Sequence, residues 1–283
     1  MARFVVRLLG VPGPWVLTVD RTDWYVGETP LNVMMLGIVY RGVAFPMLWM
    51  ILEKKGCSDT EERIALIEEL GRVFGYSAIR YLCADREFIG KEWFSWLRSQ
   101  PLDFRIHVRE NTKVMNGRGQ LVQVWRLFRS QRTGHALVIP WMRSVWGLPL
   151  FLTGLRRLPS GEYVIVVAPR ATATALDDYA RRWEIETLFG CLKSRGMRLE
   201  ETHLVHPERL KKLIALLVLA FCWAHVIGEL LTRQQPLKIK RHGRLAKSIF
   251  RHGFDHLRRI LCNLMRIAQQ VAFRQVIKLL SCT

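Results

Sequence analysis

Two short apolar runs in this chain each stop at an aspartate, and that pair of stops limits the available folds more than any other feature. Residues 15–20 (WVLTVD) read as a buried strand ending in a carboxylate. Residues 78–84 (AIRYLCA) read as a second buried strand, with Asp85 directly after it. Between them, residues 32–40 and 43–51 are rich in β-formers and are separated by Arg41-Gly42, a dipeptide suited to a tight hairpin. A helix is predicted next, opened by a capping box of Ser58 with Glu61 and carrying Ile64, Ile67, Leu70 and Phe74 at helical spacing. A short helix over 91–98 and a strand over 104–108 follow. The order is β-β-β-α-β-α-β, with acids ending the first and fourth strands.

That is the strand order of the ribonuclease-H-like, or retroviral-integrase-like, α/β fold, in which the first and fourth strands lie side by side. Adjacent strands would bring Asp20 and Asp85 together although they are far apart in sequence. The expected organisation is a first part of this catalytic core over 1–109, a β-rich insertion over 110–173, the remainder of the core with its catalytic helix over 174–231, and a basic helical C-terminal region over 232–283. The insertion is inferred from short β-type runs at 121–128 and 163–167, punctuated by Asn116-Gly117, Gly154 and Pro159-Ser160-Gly161. A single helix is expected over 175–195.

Charge narrows the partner. Lys and Arg number 43 against 24 Asp and Glu, a net charge of +19. A polyanion is the natural partner, because each neutralised phosphate releases condensed counterions; an anionic membrane surface competes with it. Residues 232–283 hold 12 of the basic residues and one acid, Asp255. There Lys238, Lys240, Arg241 and Arg244 suit a sequence-independent grip on a DNA backbone, with a solvated face as the plain alternative. Leu257, Leu261, Leu264, Ala268, Val271 and Gln275 continue a helical stripe through this tail. The six cysteines show no CxxC pair, which excludes a disulfide framework and a zinc site and suits a reducing, cytoplasmic setting. The apolar run 213–224 (LIALLVLAFCWA) falls short of the about 20 residues that span a bilayer. A buried helix is expected there, with His225 as a hydrogen-bonded core residue and no membrane partner.

The chemistry is concentrated in the stretch DDYARRWEIETLFGCLKSRG. On one continuous helix, at about 100° per residue, Tyr179, Arg182, Glu186 and Lys193 share a stripe about 60° wide. Two aspartates on adjacent strands plus Glu186 from a helix make an all-oxygen cradle suited to two Mg²⁺ ions, with Mn²⁺ as a substitute. Arg182 and Lys193 beside it suit phosphate clamps, and Tyr179 a hydrogen bond to a phosphate oxygen. An ordinary mixed-charge helix face is the plain alternative. Asp23 and Glu87 lie close to the chosen acids and are the alternative ligands. Trp141 and Trp146 are candidates for stacking on an exposed base, with packing in the core as the other reading.

The spacing Y-x2-R-x3-E-x6-K, present here as Tyr179, Arg182, Glu186 and Lys193, resembles the third catalytic block of the fourth family of bacterial insertion-sequence transposases. The stretches LTVDRTDW around Asp20, LCADREF around Asp85 and LKSRGMRLEETHL after the helix are also similar to that family. The resemblance covers nearly the whole chain. It implies a DDE triad of Asp20, Asp85 and Glu186, a β-rich insertion before the glutamate, cut-and-paste DNA transposition, and a homodimer on duplex element ends and target DNA. Relatives usually carry a sizeable N-terminal DNA-binding region ahead of the first aspartate, whereas Asp20 stands near the start here. The chain is therefore expected to lack that region. A catalytically silent DNA-binding remnant and a ribonuclease-H-like nuclease of another kind are the alternatives.

Overall fold

The computed structural model describes residues 1–241, 243 and 245–281; Arg244, named above, and Cys282, one of the six cysteines, lie outside the described residues. In chain order the elements are α1 (Ala2–Leu9), β1 (Trp15–Val26), β2 (Thr29–Tyr40), β3 (Val43–Ile51), α2 (Thr60–Phe74), β4 (Ile79–Ala84), α3 (Lys91–Ser99) and β5 (Phe104–Val108). There follow β6 (Lys113–Met115), β7 (Leu121–Gln123), β8 (Ala136–Val138), β9 (Arg143–Val145), β10 (Leu148–Arg156) and β11 (Tyr163–Ala168). The last elements are α4 (Ala175–Ala180), α5 (Glu184–Leu192), α6 (Pro207–Gln234), α7 (Ile249–Leu261) and α8 (Ile267–Leu280). The chain divides into a sheet unit (Pro12–Asp23 and Leu31–Thr187) and a helical unit (Met1–Val11, Trp24–Pro30 and Leu188–Thr283).

In the sheet unit the strands run β3-β2-β1-β4-β5-β11-β10-β9-β6-β7, with β8 also on β10. Strands β1, β4 and β5 are parallel neighbours, as the βαβ spacing requires, while β11 returns antiparallel to β5. The strands drawn from 110–173 therefore extend the same sheet. The β2–β3 hairpin turns at Arg41 (φ 53°) and Gly42 (φ 86°), two positive angles whose twist matches the flanking strands.

Several local expectations are corrected. Strand β1 does not end at Asp20 but continues to Val26; only its unbroken buried run stops at Val19, with Trp24 buried beyond it. The cap of α2 is Asp59 with Glu62, not Ser58 with Glu61. Ser58 instead accepts from the Nε of Arg63, a buried arginine on the face expected to be apolar. The run 121–128 is a strand only to Gln123 and then a 3-10 turn, because the N–H groups of Val124 and Trp125 bond back to the carbonyls of Thr112 and Glu110. Gly154 marks no turn: it lies within β10, where the Phe128 ring fills the space of a missing Cβ.

In the helical unit α6 is 28 residues long, with Pro207 in its first turn. By length and composition it could cross a membrane, and 44% of its most apolar window is buried, so the shortness argued from residues 213–224 does not hold. One face of α6 packs on α7 through glycines. A Cβ on Gly253 would run into the backbone of Ala224 and Gly228, and one on Gly228 into the carbonyl of Ile249. His225 is buried between the rings of Phe221 (4.7 Å) and Phe250 (5.9 Å), and burial lowers its pKa to about 4. The single helical stripe expected through the tail is interrupted. The chain leaves α7 after Leu261, which is exposed with Val271, while among the described residues of α7 and α8 the buried positions are Phe250, Gly253, Ile260 and Leu280.

The glycine crossing yields a direct expectation. Gly253→Ala forces the two helix backbones apart and should destabilise the chain by about 1–3 kcal/mol. Thermal unfolding of the variant checks it; an unchanged midpoint would show that the crossing is not tight.

Candidate functional site

Strand register builds the site. Val19 lies opposite Ala84 on β1 and β4, and Ala84 lies opposite Ile106 on β4 and β5. One residue further along, Asp20 and His107 lie in β1 and β5 and Asp85 directly follows the end of β4, so the three extend one row across neighbouring strands spaced about 4.8 Å apart. Side-chain alternation puts the row on the face that also carries Val16, Tyr81, Cys83 and Arg105.

Helix α4 is clasped to that face by one carboxylate. Asp178 accepts from Tyr81 Oη (3.2 Å), Arg105 Nε (3.2 Å) and Thr174 Oγ1 (3.0 Å), and its carbonyl accepts from the Cys83 thiol (3.3 Å). Arg105 is buried and also paired with Asp103 at 2.7 Å. The clasp delivers the next residue, Tyr179, whose hydroxyl donates to Asp85 Oδ1 at 3.2 Å.

The helix expected over 175–195 is in three pieces: α4, a 3-10 turn at Arg181–Trp183, and α5. Arg182 sits in the turn and is buried. Its Nη1 donates to Asp20 Oδ2 at 2.9 Å and its Nη2 to Glu186 Oε1 at 2.8 Å. The structure thus gathers Asp20, Asp85, Tyr179, Arg182 and Glu186. Lys193 belongs to the helical unit, where it pairs with Glu200 at 2.8 Å and lies over the Trp24 ring. Trp146 stacks on Phe94, with ring centroids 5.2 Å apart, and Trp141 is 70% exposed.

The two alternative acids are engaged elsewhere. Arg21 pairs with Glu87 at 3.4 Å and with Asp23 at 3.6 Å. The loop after Asp85 is pinned by Arg63, which donates to the carbonyls of Glu87 (3.1 Å) and Ile89 (3.3 Å). Sequence reasoning missed His107, Asp178, Arg105 and Arg63. The signal for His107 was its alternation with Ile106 and Val108, legible once β4 and β5 are known to be parallel neighbours.

The aspartates lie in opposed environments. Burial raises the Asp20 carboxyl to about 6, against the lowering effects of the Arg21 N–H and of Arg182. Burial also pushes Asp85 upward, but hydrogen bonds from His107 and the Arg86 N–H, with the charge of Arg182, hold it well below the usual range. Arg182, disfavoured as a cation by burial, is held charged by Tyr179, Asp20, Asp85 and Glu186. A cleft of about 890 Å³ opens beside Asp85, His107, Tyr179 and Arg182, with the exposed Trp183 on its lining.

Three carboxylates from two strands and a helix are donors suited to a hard divalent ion. Among the described residues no three acidic, imidazole or thiol groups converge tightly enough to hold an ion as they stand. Arg182 holds the oxygens of Asp20 and Glu186 that would turn to one. The donor chemistry fits, with the guanidinium as the cation that balances it.

A row of acids on parallel strands, faced by a helix carrying a third acid, defines an α/β protein with a polar site on one sheet face. Residues 11–223 match the transposase DDE domain family, and the chain belongs to that family. No curated protein matches it. Among solved structures the chain is similar to the piggyBac transposase in its synaptic complex with hairpin DNA. The identity there is 13% and the TM-score 0.48, over 87% of this chain and 52% of that one. It is also similar to the catalytic domain of human endonuclease V (12% identity, TM-score 0.36, covering 68% and 85%). The Ciona intestinalis endonuclease V bound to a 23mer DNA containing an inosine followed by a ribo-adenosine gives 14%, 0.32, 71% and 87%. The chain spans about half the length of the piggyBac transposase chain.

The opposed carboxyls carry a pH signature. The native state binds the Asp20 proton more tightly than the unfolded chain, whose value is the ordinary 3.8. Stability from this group is present below pH 4 and lost as pH rises through about 6. The loss is at most about 3 kcal/mol. Asp85 works in the other window, its contribution being lost only as pH falls through its lowered value. His225, lowered to about 4, contributes in the opposite direction over the same range, so Asp20→Asn should make stability rise more steeply with pH between 4.5 and 7.5 than in wild type, read by urea unfolding. Parallel slopes for variant and wild type would contradict this.

Proposed function

We propose that this chain is the catalytic unit of a cut-and-paste DNA transposase, built on a ribonuclease-H-like core with residues 110–173 as its β-rich insertion. Asp20, Asp85 and Glu186 are its carboxylate triad. The observation that carries the reading is the meeting of Asp20 and Glu186 on one guanidinium beside Asp85. Membership of the transposase DDE domain family supports it, as does a net charge of +19, which suits a polyanionic substrate.

The three carboxylates would hold Mg²⁺, or Mn²⁺ in its place. When bound, the ions supply charge stabilisation at the reacting phosphate and activate the attacking oxygen. The protein's own groups do the rest. Arg182, once relieved of the carboxylates, is a bidentate donor for a phosphate. Tyr179 holds Asp85 in place. Trp183, exposed beside the cleft, and Trp141, exposed on the insertion, offer apolar surface to bases. Lys193 completes the Y-x2-R-x3-E-x6-K spacing, which supports a place for the chain in the fourth insertion-sequence family. Duplex element ends and target DNA are the substrates, with a homodimer as the working assembly.

The test is incubation of the full chain with labelled duplex carrying the repeats that flank its gene, with and without Mg²⁺. Mg²⁺-dependent nicking at the repeat ends is expected. Partners of metal ligands typically cost 10–100-fold when removed, so Glu186→Gln, which loses a ligand itself, should cost at least about 100-fold. Salt-sensitive DNA binding with no cleavage under any divalent ion would overturn the enzyme and leave a silent DNA-binding remnant.

A further inference from the structure

The hydrogen bonds at Asp85 are distributed unevenly. Oδ1 takes the Arg86 backbone N–H at 2.7 Å, the Tyr179 hydroxyl at 3.2 Å and the His107 Nδ1 at 3.3 Å. Oδ2 receives no hydrogen bond from the described residues. At Asp20, by contrast, the two oxygens are divided between the Arg21 N–H and Arg182. A carboxylate with three donors on one oxygen cannot turn freely about its last torsion, because any turn breaks several bonds at once. Its other oxygen is then presented in a fixed direction.

Two of the three donors are accounted for by the chain's local course: the Arg86 N–H is the next residue's backbone, and Tyr179 arrives with α4. The third is supplied from another strand. His107 stands beside Asp85 in the row across β4 and β5, and its side chain is 12% exposed. Its ring lies 5.6 Å from that of Tyr179 at 55°, so each aromatic donor limits the swing of the other. A carboxylate accepts only, so in the contact of 3.3 Å it is the His107 Nδ1 that carries the proton.

We propose that His107 is a positioning residue of the carboxylate site, turning Asp85 so that Oδ2 faces the bound divalent ion. The inference rests on the reading of Asp20, Asp85 and Glu186 as the ion's ligands. His107 touches neither ion nor DNA in this role; it acts through the carboxylate, as hydrogen-bond partners of ligands do elsewhere. Removing it leaves Asp85 present and charged but held by two donors instead of three, so turning costs less; this weakens ion binding while leaving the DNA-binding surface intact.

The experiment is a titration of the full chain with Mn²⁺, without DNA, following free Mn²⁺ by electron paramagnetic resonance. Duplex-DNA binding in EDTA and thermal unfolding are measured on the same samples. His107→Ala should weaken Mn²⁺ binding about tenfold, the lower end of the cost of such partners, with DNA affinity unchanged. His107→Asn places an amide N–H close to the position of Nδ1 and should restore affinity to within about threefold of wild type. Wild-type Mn²⁺ affinity in His107→Ala would overturn the proposal, as would an Asn variant that folds yet binds as weakly as Ala. Glu186→Gln separates the two levels of the argument, because it should abolish the binding. If wild type and Glu186→Gln take up Mn²⁺ equally, or neither does, the carboxylate-site reading itself fails and the role of His107 with it.

Discussion

The site depends on one guanidinium placed among carboxylates. Asp20 and Asp85 are neighbours in a row on the sheet, and Glu186 comes to them from α5. Like charges so close, partly withdrawn from water, raise one another's pKa, and Asp20 feels both Asp85 and Glu87 in this way. Arg182 offsets that repulsion by bonding Asp20 and Glu186 directly, and its charge acts on Asp85 as well. Burying a guanidinium is itself costly, and removing either partner would leave a poorly solvated charge unmatched. Acids and cation are thus conditions of one another. A site that needs three carboxylates close together requires some cation, and in this chain the protein supplies it.

Arg182 is positioned by elements that take no part in the chemistry. Asp178 bonds Tyr81, Arg105 and Thr174 and so fixes α4 on the sheet. The 3-10 turn that follows is wound more tightly than an α-helix, which changes the bearing of everything after Tyr179. On the other side, Arg63 holds the loop leaving Asp85 through backbone carbonyls, and Arg21 keeps Glu87 and Asp23 occupied. Arg63 and Arg21 thus limit which acids are available to the carboxylate row.

Much of this was legible in the sequence, for identifiable reasons. The strands at 43–51 and 104–108 could be bounded to the residue because apolar content and turn residues coincide at their ends. Asp20 and Asp85 are preferred to Asp23 and Glu87 because they come first after buried runs; the structure places the former two near Arg182 and pairs the latter two with Arg21. The continuous helix over 175–195 failed because periodicity counts apolar positions and carries no information on where the winding tightens. The capping box slipped by one residue because Ser58-Asp59 offers two caps with a glutamate three positions on, and burial of Arg63 favours Asp59. His107 and Arg105 were invisible as site residues for a different reason. Their meaning comes from strand neighbours, and register between distant strands is a tertiary fact.

The two aspartates show how one row can hold unlike groups. Desolvation dominates at Asp20, and its carboxyl is raised to about 6 even with Arg182 bonded to it. Asp85 is also desolvated, yet hydrogen bonds from His107 and the Arg86 N–H, with the charge of Arg182, prevail and hold its carboxyl well below the usual range. Asp85 is therefore a fixed charge with a fixed direction, whereas the charge on Asp20 depends on the cation nearest to it. If, as proposed, Arg182 turned from carboxylate to phosphate, Asp20 would lose its counter-charge, and another cation would become the means by which it stays ionised. On that proposal, transfer of Arg182 to a phosphate and arrival of a divalent ion at the carboxylates would be mutually favourable, since each would remove the electrostatic cost of the other.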